Sequence, residues 1–201
     1  MDQGPGSRFV RIGEDAGRAA LLVDGVVQSI SPADGLASGG YWAAMVPSLR
    51  PTRALILGLG GGTLARLIHA RWGEDVYIVG VDDDVAIVET AIAAGWLNES
   101  LAHVVYADAF DYVAACQERF DYIAIDLFRG ERLLGRAMTR PFLGRVRSLL
   151  HAPALLAINM FRDRHSPARI ARIEALFEVR EQVVVGGNVI VHARARRRRR
   201  H

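Results

Sequence analysis

Lysine is absent from the 201-residue sequence, and cysteine occurs once. Because all 25 lysine-plus-arginine positions are arginine, the chain offers no Schiff-base amine for pyridoxal phosphate chemistry and no P-loop lysine for nucleoside triphosphates. The single cysteine, Cys116, excludes intrachain disulfides and zinc sites built from several cysteines. It lies in a predicted helix, where we expect a small buried hydrophobic residue rather than a nucleophile.

Long apolar runs are also missing. No run reaches the roughly 20 residues that a membrane-spanning helix needs, and the first eight residues, MDQGPGSR, have neither the basic nor the hydrophobic region of a signal peptide. We therefore expect a cytoplasmic protein with no membrane partner. The net charge is +3, but six arginines lie between Arg194 and Arg200. We expect this tail to be disordered and solvated, and we expect no nucleic-acid partner.

The most informative segment runs from Arg53 to Asp84. An apolar strand leads into a glycine-rich turn, followed by an amphipathic helix over 63–71, a second apolar strand and a cluster of carboxylates. The glycines of the turn are Gly58, Gly60 and Gly62. Glycine lets the backbone turn sharply and approach a ligand, and we expect the free N–H groups of the helix to face that ligand. Asp82, after the second strand, can accept hydrogen bonds from ribose hydroxyls, so the segment predicts a nucleoside-binding α/β domain.

Alternating strand and helix signals continue along the chain. The predicted strands are 54–57, 76–81, 103–106, 122–125, 154–159, 179–185 and 189–193, and the predicted helices are 63–71, 85–94, 110–119, 140–150 and 166–177. The last two strands are joined by Gly186-Gly187-Asn188, which predicts an antiparallel hairpin. This ending favours a Rossmann-like class I methyltransferase fold over a dinucleotide dehydrogenase. We predict a seven-stranded, mostly parallel sheet with helices on both faces and a small N-terminal β hairpin.

The chain is thus predicted to have three parts: residues 1–50, with an N-terminal tail, the β hairpin and a crossing segment; residues 51–193, the nucleoside-binding domain; and the Arg-rich tail 194–201. Within the domain, Asp82, Asp108 and Asp126 each follow a predicted strand. The carboxyl ends of parallel strands meet at one edge, where ligands bind. Each acid alone could cap a helix or lie in a loop, but three beside a glycine loop predict a site. The histidines lack metal-ligand spacing, so we expect no metal.

Several motifs resemble the spermidine synthase (polyamine aminopropyltransferase) family within the class I adenosylmethionine-dependent methyltransferase superfamily. The matching stretches are LLVDGVVQ at 21–28, Tyr41, VDDDVAIVETA at 81–91, ADAF at 107–110 and FDYIAID at 120–126. The resemblance covers roughly residues 20 to 193 and is strongest from Arg53 to Asp126. It is specific to the superfamily rather than to one substrate.

The resemblance implies a role for each matching position. On the donor side, the implied binding residues are Gln28, Gly58, Gly60, Gly62, Asp82, Asp108 and Ala109. The glycines would line the methionine-derived part of S-adenosylmethionine or its decarboxylated form, Asp82 would bind the ribose, and Asp108 with the Ala109 backbone would meet the adenine amino edge. On the acceptor side, the resemblance implies that Asp126 is the catalytic carboxylate beside the attacking amine and that Tyr41 and Asp126 bind the substrate. Arg129, which departs from the family pattern, is a further candidate for substrate binding.

The departures from the family pattern concern the amine sites. The family carries an acid inside the glycine loop, whereas this chain has glycines there, and it carries a second acid after Asp126, whereas this chain has Arg129. An arginine repels a polyamine. The acid expected two positions after Tyr41 is Ala43. Asp121 and Glu131 remain near Asp126 in sequence.

Three hypotheses remain open from the sequence. The first is aminopropyl transfer from decarboxylated adenosylmethionine to an amine. The second is methyl transfer from intact adenosylmethionine to a small molecule, with Arg129 and Arg132 available for an anionic acceptor. Without the loop acid, a donor carboxylate could sit at the helix N-terminus, which favours this second reading. The third is a non-catalytic nucleoside-binding or interaction protein. Hydrophobic hairpin edges often pair between subunits, which is compatible with a homodimer.

Overall fold

The computed structural model describes residues 9–30, 40–129 and 132–195. The strands, in chain order, are β1 (Val10–Asp15), β2 (Arg18–Val23), β3 (Val26–Ile30), β4 (Arg53–Leu57), β5 (Tyr77–Asp82), β6 (His103–Tyr106), β7 (Phe120–Ile125), β8 (Phe128–Arg129), β9 (Arg132–Leu133), β10 (Leu150–Phe161), β11 (Phe177–Val185) and β12 (Asn188–Ala195). The helices are α1 (Gly40–Met45), α2 (Thr63–Trp72), α3 (Val85–Ala93), α4 (Ala109–Ala115), α5 (Arg140–Leu149) and α6 (Ser166–Glu174), with a 3₁₀ turn at Gly135–Met138.

The main sheet has seven strands in the order β11-β12-β10-β7-β4-β5-β6. The pairs from β10 to β6 are parallel, whereas β12 runs antiparallel to both β10 and β11. The predicted sheet with its C-terminal antiparallel hairpin is therefore confirmed. Strand order reverses at β4, which lies between β5 and β7, and open α/β sheets bind ligands at such a switch point.

The central strands read as continuous apolar runs because helices cover both faces of the sheet. Successive residues of β4 alternate between two hydrophobic clusters: Leu55 and Leu57 face one, and Ile56 faces the other. The first cluster includes side chains of α4, α5 and α6. The second includes side chains of α1, α2, α3 and the N-terminal strands. The N-terminal strands thus pack on the same face of the sheet as α2 and α3.

Some predicted boundaries are wrong. The N-terminal element is a three-stranded antiparallel sheet, β1-β2-β3, rather than a hairpin. The helix predicted over 110–119 ends at Ala115, because Cys116 turns to an extended conformation and its carbonyl accepts from Arg145 of α5. Strand β10 begins at Leu150, with a register shift before Leu155 that coincides with a proline.

Two further predictions concern the chain as a whole. No helix within the described ranges is long and apolar enough to cross a membrane. The division into residues 1–50, 51–193 and 194–201 stays a prediction. Residues 196–201 of the Arg-rich tail, and Glu131, lie outside the described residues.

Candidate functional site

A cavity of about 300 Å³ opens at the carboxyl ends of β4, β5 and β7, the place expected for a ligand in this topology. The predicted site residues that line it are Gln28, Tyr41, Gly58, Gly60, Asp82, Asp108, Ala109, Asp126 and Arg129. Residues from three separate parts of the sequence, the N-terminal sheet, α1 and the main domain, are thus brought together. Gly62 is the exception: a side chain there would point at Leu97 and Arg66, away from the cavity.

The glycine loop passes directly against the end of β7. Gly58 has φ of +88°, a left-handed conformation, and a Cβ placed there would lie 2.2 Å from the carbonyl oxygen of Asp126. Only glycine combines this backbone conformation with so close an approach. The contact matters for the site because it sets the position from which the Asp126 side chain enters the cavity.

The expectation that the loop and helix present free N–H groups to a ligand is wrong. The amides of Gly58 and Leu59 donate to Val81 O, and that of Gly62 donates to Leu59 O. The Gly60 amide donates to Asp82 Oδ2 at 2.7 Å, and the Gly61 amide donates to Ser29 Oγ at 2.7 Å. Of the described residues that line the cavity, none comes from 61–65. The N-terminus of α2 therefore faces β3 instead of the cavity.

Strand β3 covers this helix terminus and also forms one wall of the cavity. Ser29 is 1% exposed, and a Cβ on Gly61 would lie 2.8 Å from its Cβ and Oγ. The Ile30 amide donates to Thr63 Oγ1 at 3.1 Å. These contacts bring Gln28 to the cavity, in agreement with the implied donor-side position. They also fill the space that an acidic side chain at Gly61 would need.

Asp82 is fixed at the end of β5. Its two carboxylate oxygens accept from the amides of Gly60, at 2.7 Å, and Asp84, at 2.9 Å. Burial raises the pKa of Asp82, and these two hydrogen bonds oppose the shift. The carboxylate thus anchors the glycine loop, while each oxygen keeps acceptor capacity for a ligand hydroxyl.

Asp108 caps α4. Its Oδ1 accepts from the amides of Phe110, at 2.9 Å, and Asp111, at 3.1 Å, which is the N-cap arrangement. Asp108 and Ala109 both line the cavity. The capping role and the implied contact with adenine are compatible, because the cap uses one oxygen.

Asp126 accepts hydrogen bonds from side chains at the cavity wall. Tyr41 Oη donates to its Oδ2 at 3.2 Å, and Asn159 Nδ2 donates to its Oδ1 at 2.8 Å. Burial raises the pKa of Asp126 to about 6, although the hydrogen bonds from Asn159, Tyr41 and Trp42 lower it. A carboxyl group with this pKa is largely ionised at neutral pH yet basic enough to take a proton.

Helix α1 is held against the sheet by two side chains from distant strands. Tyr122 of β7 donates to Met45 O, and His192 Nε2 lies 2.7 Å from Ala44 O. The Tyr41 and Trp42 rings stack with centroids 4.2 Å apart, so both reach the cavity. Burial, and then the nearby carboxylate, raise the pKa of Tyr41 well above its usual value. Tyr41 therefore stays protonated and donates.

Phe128 and Phe161 also line the cavity. Their rings meet edge to face with centroids 4.9 Å apart. Arg129 follows Phe128 and binds Asp83 Oδ2 at 3.1 Å, with both side chains more than half exposed. The expected repulsion of a polyamine by Arg129 is therefore partly balanced by an acid at the mouth of the cavity.

Sequence reasoning missed Asn159. This residue lies in β10, two positions before the strand ends at Phe161. It is the last residue of the predicted strand 154–159, so the same strand-end rule would have found it. It is 1% exposed, lines the cavity, and its Oδ1 has no hydrogen-bond partner among the described residues. Asp121, in contrast, lies at the other end of β7, where it accepts from the amides of Thr52 and Arg53. Asp121 is thus near Asp126 in sequence but is not among the described residues that line the cavity.

The described lining of the cavity is strongly acidic. Its carboxylates are Asp82, Asp83, Asp84, Asp108 and Asp126, and its one arginine, Arg129, is paired with Asp83. Such a cavity favours a cationic ligand. Within the described ranges, no group of three or more His, Cys, Asp or Glu side chains is arranged to hold a metal ion.

Curated relatives confirm the resemblance to the polyamine aminopropyltransferases. The enzyme of that name from Vibrio vulnificus is 30% identical over 124 residues, which cover 59% of this chain and 41% of the enzyme. The enzyme from Chromobacterium violaceum is 30% identical over 149 residues, 71% of this chain and 57% of the enzyme. The chain therefore spans about half the length of these relatives. No family model matches it.

Solved structures confirm the class I methyltransferase fold. A probable spermidine synthase from Corynebacterium glutamicum superposes with a TM-score of 0.71 at 15% identity. The superposition covers 94% of this chain and 77% of the spermidine synthase chain. A spermidine synthase in complex with the transition state analogue AdoDATO gives 0.66 at 17% identity, covering 94% and 69%. Human methyltransferase-like protein 13 in complex with SAH gives 0.66 at 22% identity, covering 75% of each chain.

Proposed function

We propose that this chain is a transferase of the spermidine synthase type, which binds an adenosylmethionine-type sulfonium donor in the cavity and transfers an aminopropyl group to an amine. The curated relatives are named polyamine aminopropyltransferases, and one structural neighbour is a spermidine synthase bound to AdoDATO. The acidic cavity at the switch point suits a donor and an acceptor that both carry positive charge.

The environment of Asp126 carries the proposal. Its carboxylate accepts from Tyr41 and Asn159 at the cavity wall, and its pKa of about 6 suits a general base at neutral pH. A sulfonium donor already contains its leaving group, so the protein must chiefly align the nucleophile and remove a proton. Asp126 can do both for an amine, since it attracts the ammonium and then accepts its proton.

The transfer needs no reactant other than the sulfonium donor and the amine. The amine nitrogen attacks the propyl carbon bound to sulfur, a C–N bond forms, and the C–S bond breaks. The electron pair of that bond stays on sulfur, which leaves as the neutral thioether of methylthioadenosine. Asp126 takes the proton that the amine must lose. Tyr41 stays protonated and holds the carboxylate in place throughout.

The decarboxylated donor suits the cavity better than the intact one. Intact adenosylmethionine carries a carboxylate, which needs N–H donors or a cation. The loop amides are already bonded to Val81, Asp82, Ser29 and Leu59, and Arg129 is paired with Asp83. One argument for the methyl-transfer hypothesis was a free helix N-terminus for the donor carboxylate, and that terminus is covered by β3. We therefore place aminopropyl transfer first.

Calorimetric titration with four ligands tests the proposal: decarboxylated adenosylmethionine, adenosylmethionine, methylthioadenosine and NAD. We expect the decarboxylated donor and methylthioadenosine to bind, the intact donor to bind at least about 10-fold more weakly, and NAD not to bind. Asp82→Ala should weaken the binding of each adenosine-containing ligand, because Asp82 would hold the ribose and also anchors the amide of Gly60. Preference for the intact donor would indicate methyl transfer, and binding without turnover of any amine would indicate a non-catalytic relative.

A second expected result concerns pH. Since the Asn159 hydrogen bond lowers the pKa of Asp126, Asn159→Leu should raise that pKa further. The base works when ionised, so kcat/KM should rise through about pH 6 in the wild type and at higher pH in the variant. Asn188 also lines the cavity, and Asn188→Leu serves as the control: its kcat/KM should rise at the same pH as in the wild type. If kcat/KM rose at the wild-type pH in Asn159→Leu too, the proposed role of Asp126 would be contradicted.

A further inference from the structure

The guanidinium of Arg66 in α2 joins three segments of the chain. Its Nη1 donates to Gly61 O at 2.7 Å and to Trp96 O at 2.6 Å. Its Nη2 donates to Ile30 O at 2.8 Å and to Thr63 Oγ1 at 3.2 Å. The glycine loop, the segment after α3 and the end of β3 are thus tied to one side chain. Arg66 itself is not among the described residues that line the cavity.

The tie to β3 is reinforced by its neighbours. Thr63 Oγ1 accepts from Arg66 and also from the Ile30 amide, so the same hydroxyl connects the helix to both. Ser29 Oγ accepts from the Gly61 amide beside them. Gln28, the residue before Ser29, lines the cavity. The position of Gln28 therefore depends on how the end of β3 is held against the loop.

The partners of Arg66 are unusual for a half-buried cation. All four described acceptors are neutral oxygens, and burial lowers the pKa of the Arg66 guanidinium to about 10. Placing an arginine among neutral groups costs stability. Its planar fork, however, can bind several carbonyls in fixed directions. A residue kept only to fill space would not need that geometry.

We propose that Arg66 is a positioning residue for donor binding, which holds β3, and with it Gln28, against the glycine loop. The inference rests on the proposed function, because its ligand is the nucleoside sulfonium donor. Arg66 does not contact that ligand. It acts through the cavity wall that β3 forms.

A double-mutant cycle tests this coupling, with methylthioadenosine and decarboxylated adenosylmethionine as the calorimetric probes. We expect Arg66→Met and Gln28→Ala each to weaken binding by about 10-fold. If the two residues are coupled, the Kd of the double variant should be at least about threefold lower than the value obtained by multiplying the two single effects. Arg66→Lys keeps the charge and one direction of hydrogen bonding, so it should recover part of the affinity. Arg71→Met, on the exposed end of the same helix, is the control and should bind as the wild type does.

Thermal unfolding gives the stability of each variant beside its affinity. Arg66→Met leaves the carbonyls of Gly61, Trp96 and Ile30 without this donor, so its Tm should fall below that of Arg71→Met, and binding is measured at a temperature where both variants are folded. Additive effects in the cycle, unchanged affinity in Arg66→Met, or no recovery of affinity in Arg66→Lys would overturn the inference. If Arg66→Met does not fold, the cycle with Arg66→Lys decides. A wild-type chain that bound neither probe would overturn the proposed function as well.

Discussion

Asp126→Asn is expected to lower kcat by about 10²- to 10⁴-fold, the usual effect of losing a general base. The substitution keeps the shape of the side chain, and its amide can still bond to Tyr41 and Asn159 after the hydroxyl and amide reorient. The lost property is the ability to take a proton from the amine. Donor affinity, measured by calorimetry with methylthioadenosine, should change by less than about threefold, because the implied donor contacts lie at Asp82 and Asp108 instead.

Asp121→Asn is the matched control for this prediction. It makes the same chemical change on the same strand, but at the end where Asp121 accepts from the amides of Thr52 and Arg53. Its kcat should stay near that of the wild type. Equal turnover in Asp126→Asn and the wild type would remove Asp126 as the base, and equal losses in both variants would point to β7 as a whole rather than to one carboxylate.

The sheet and its acids could be predicted because they depend on local signals. Apolar runs of strand length, the Gly186-Gly187 turn and the acids that follow three of the strands are all visible in short windows of sequence. The rule that parallel strands end at one edge then brings Asp82, Asp108 and Asp126 together without any knowledge of packing. The same rule covers Asn159, which was missed because only acids were considered.

The closed helix terminus could not be predicted in this way. It depends on Ser29 and Ile30 meeting Gly61 and Thr63, residues 32 and 33 positions apart in sequence. Ser29 and Thr63 are ordinary strand and helix residues by local pattern, and nothing in either window indicates the pairing. The contact matters for the loop, because the Gly61 amide, which was expected to face a ligand, donates to Ser29 of β3.

Arg129 shows a similar limit. From sequence, an arginine in place of the second acid argues against a cationic acceptor. In the fold it meets Asp83, the second of three consecutive aspartates that begin with the last residue of β5. No local pattern in the sequence pairs Asp83 with Arg129. Since both side chains are more than half exposed, the pair contributes little to stability. Asp83 does, however, offset the positive charge of Arg129, the one arginine of the described lining, and so reduces its repulsion of an amine.

Gly58→Ala is expected to destabilise the chain more than any other single methyl addition in the glycine loop. The residue has φ of +88°, a conformation that costs an L-residue about 1–3 kcal/mol. The added Cβ would also lie 2.2 Å from the Asp126 carbonyl oxygen, and backbone atoms of a central strand cannot move aside as a flexible side chain can. Overpacking of this kind adds about 1–3 kcal/mol to the loss in free energy of unfolding.

Gly95→Ala separates these two contributions. Gly95 has φ of +72°, and its added Cβ would meet nothing within 4 Å, so it carries the conformational cost alone. Urea denaturation should therefore show a loss for Gly58→Ala that exceeds the Gly95→Ala loss by about 1–3 kcal/mol. Any folded Gly58→Ala protein should also lose turnover, since relief of the clash displaces Asp126. Equal losses in the two variants, with full turnover retained, would mean that the loop does not set the position of the proposed base.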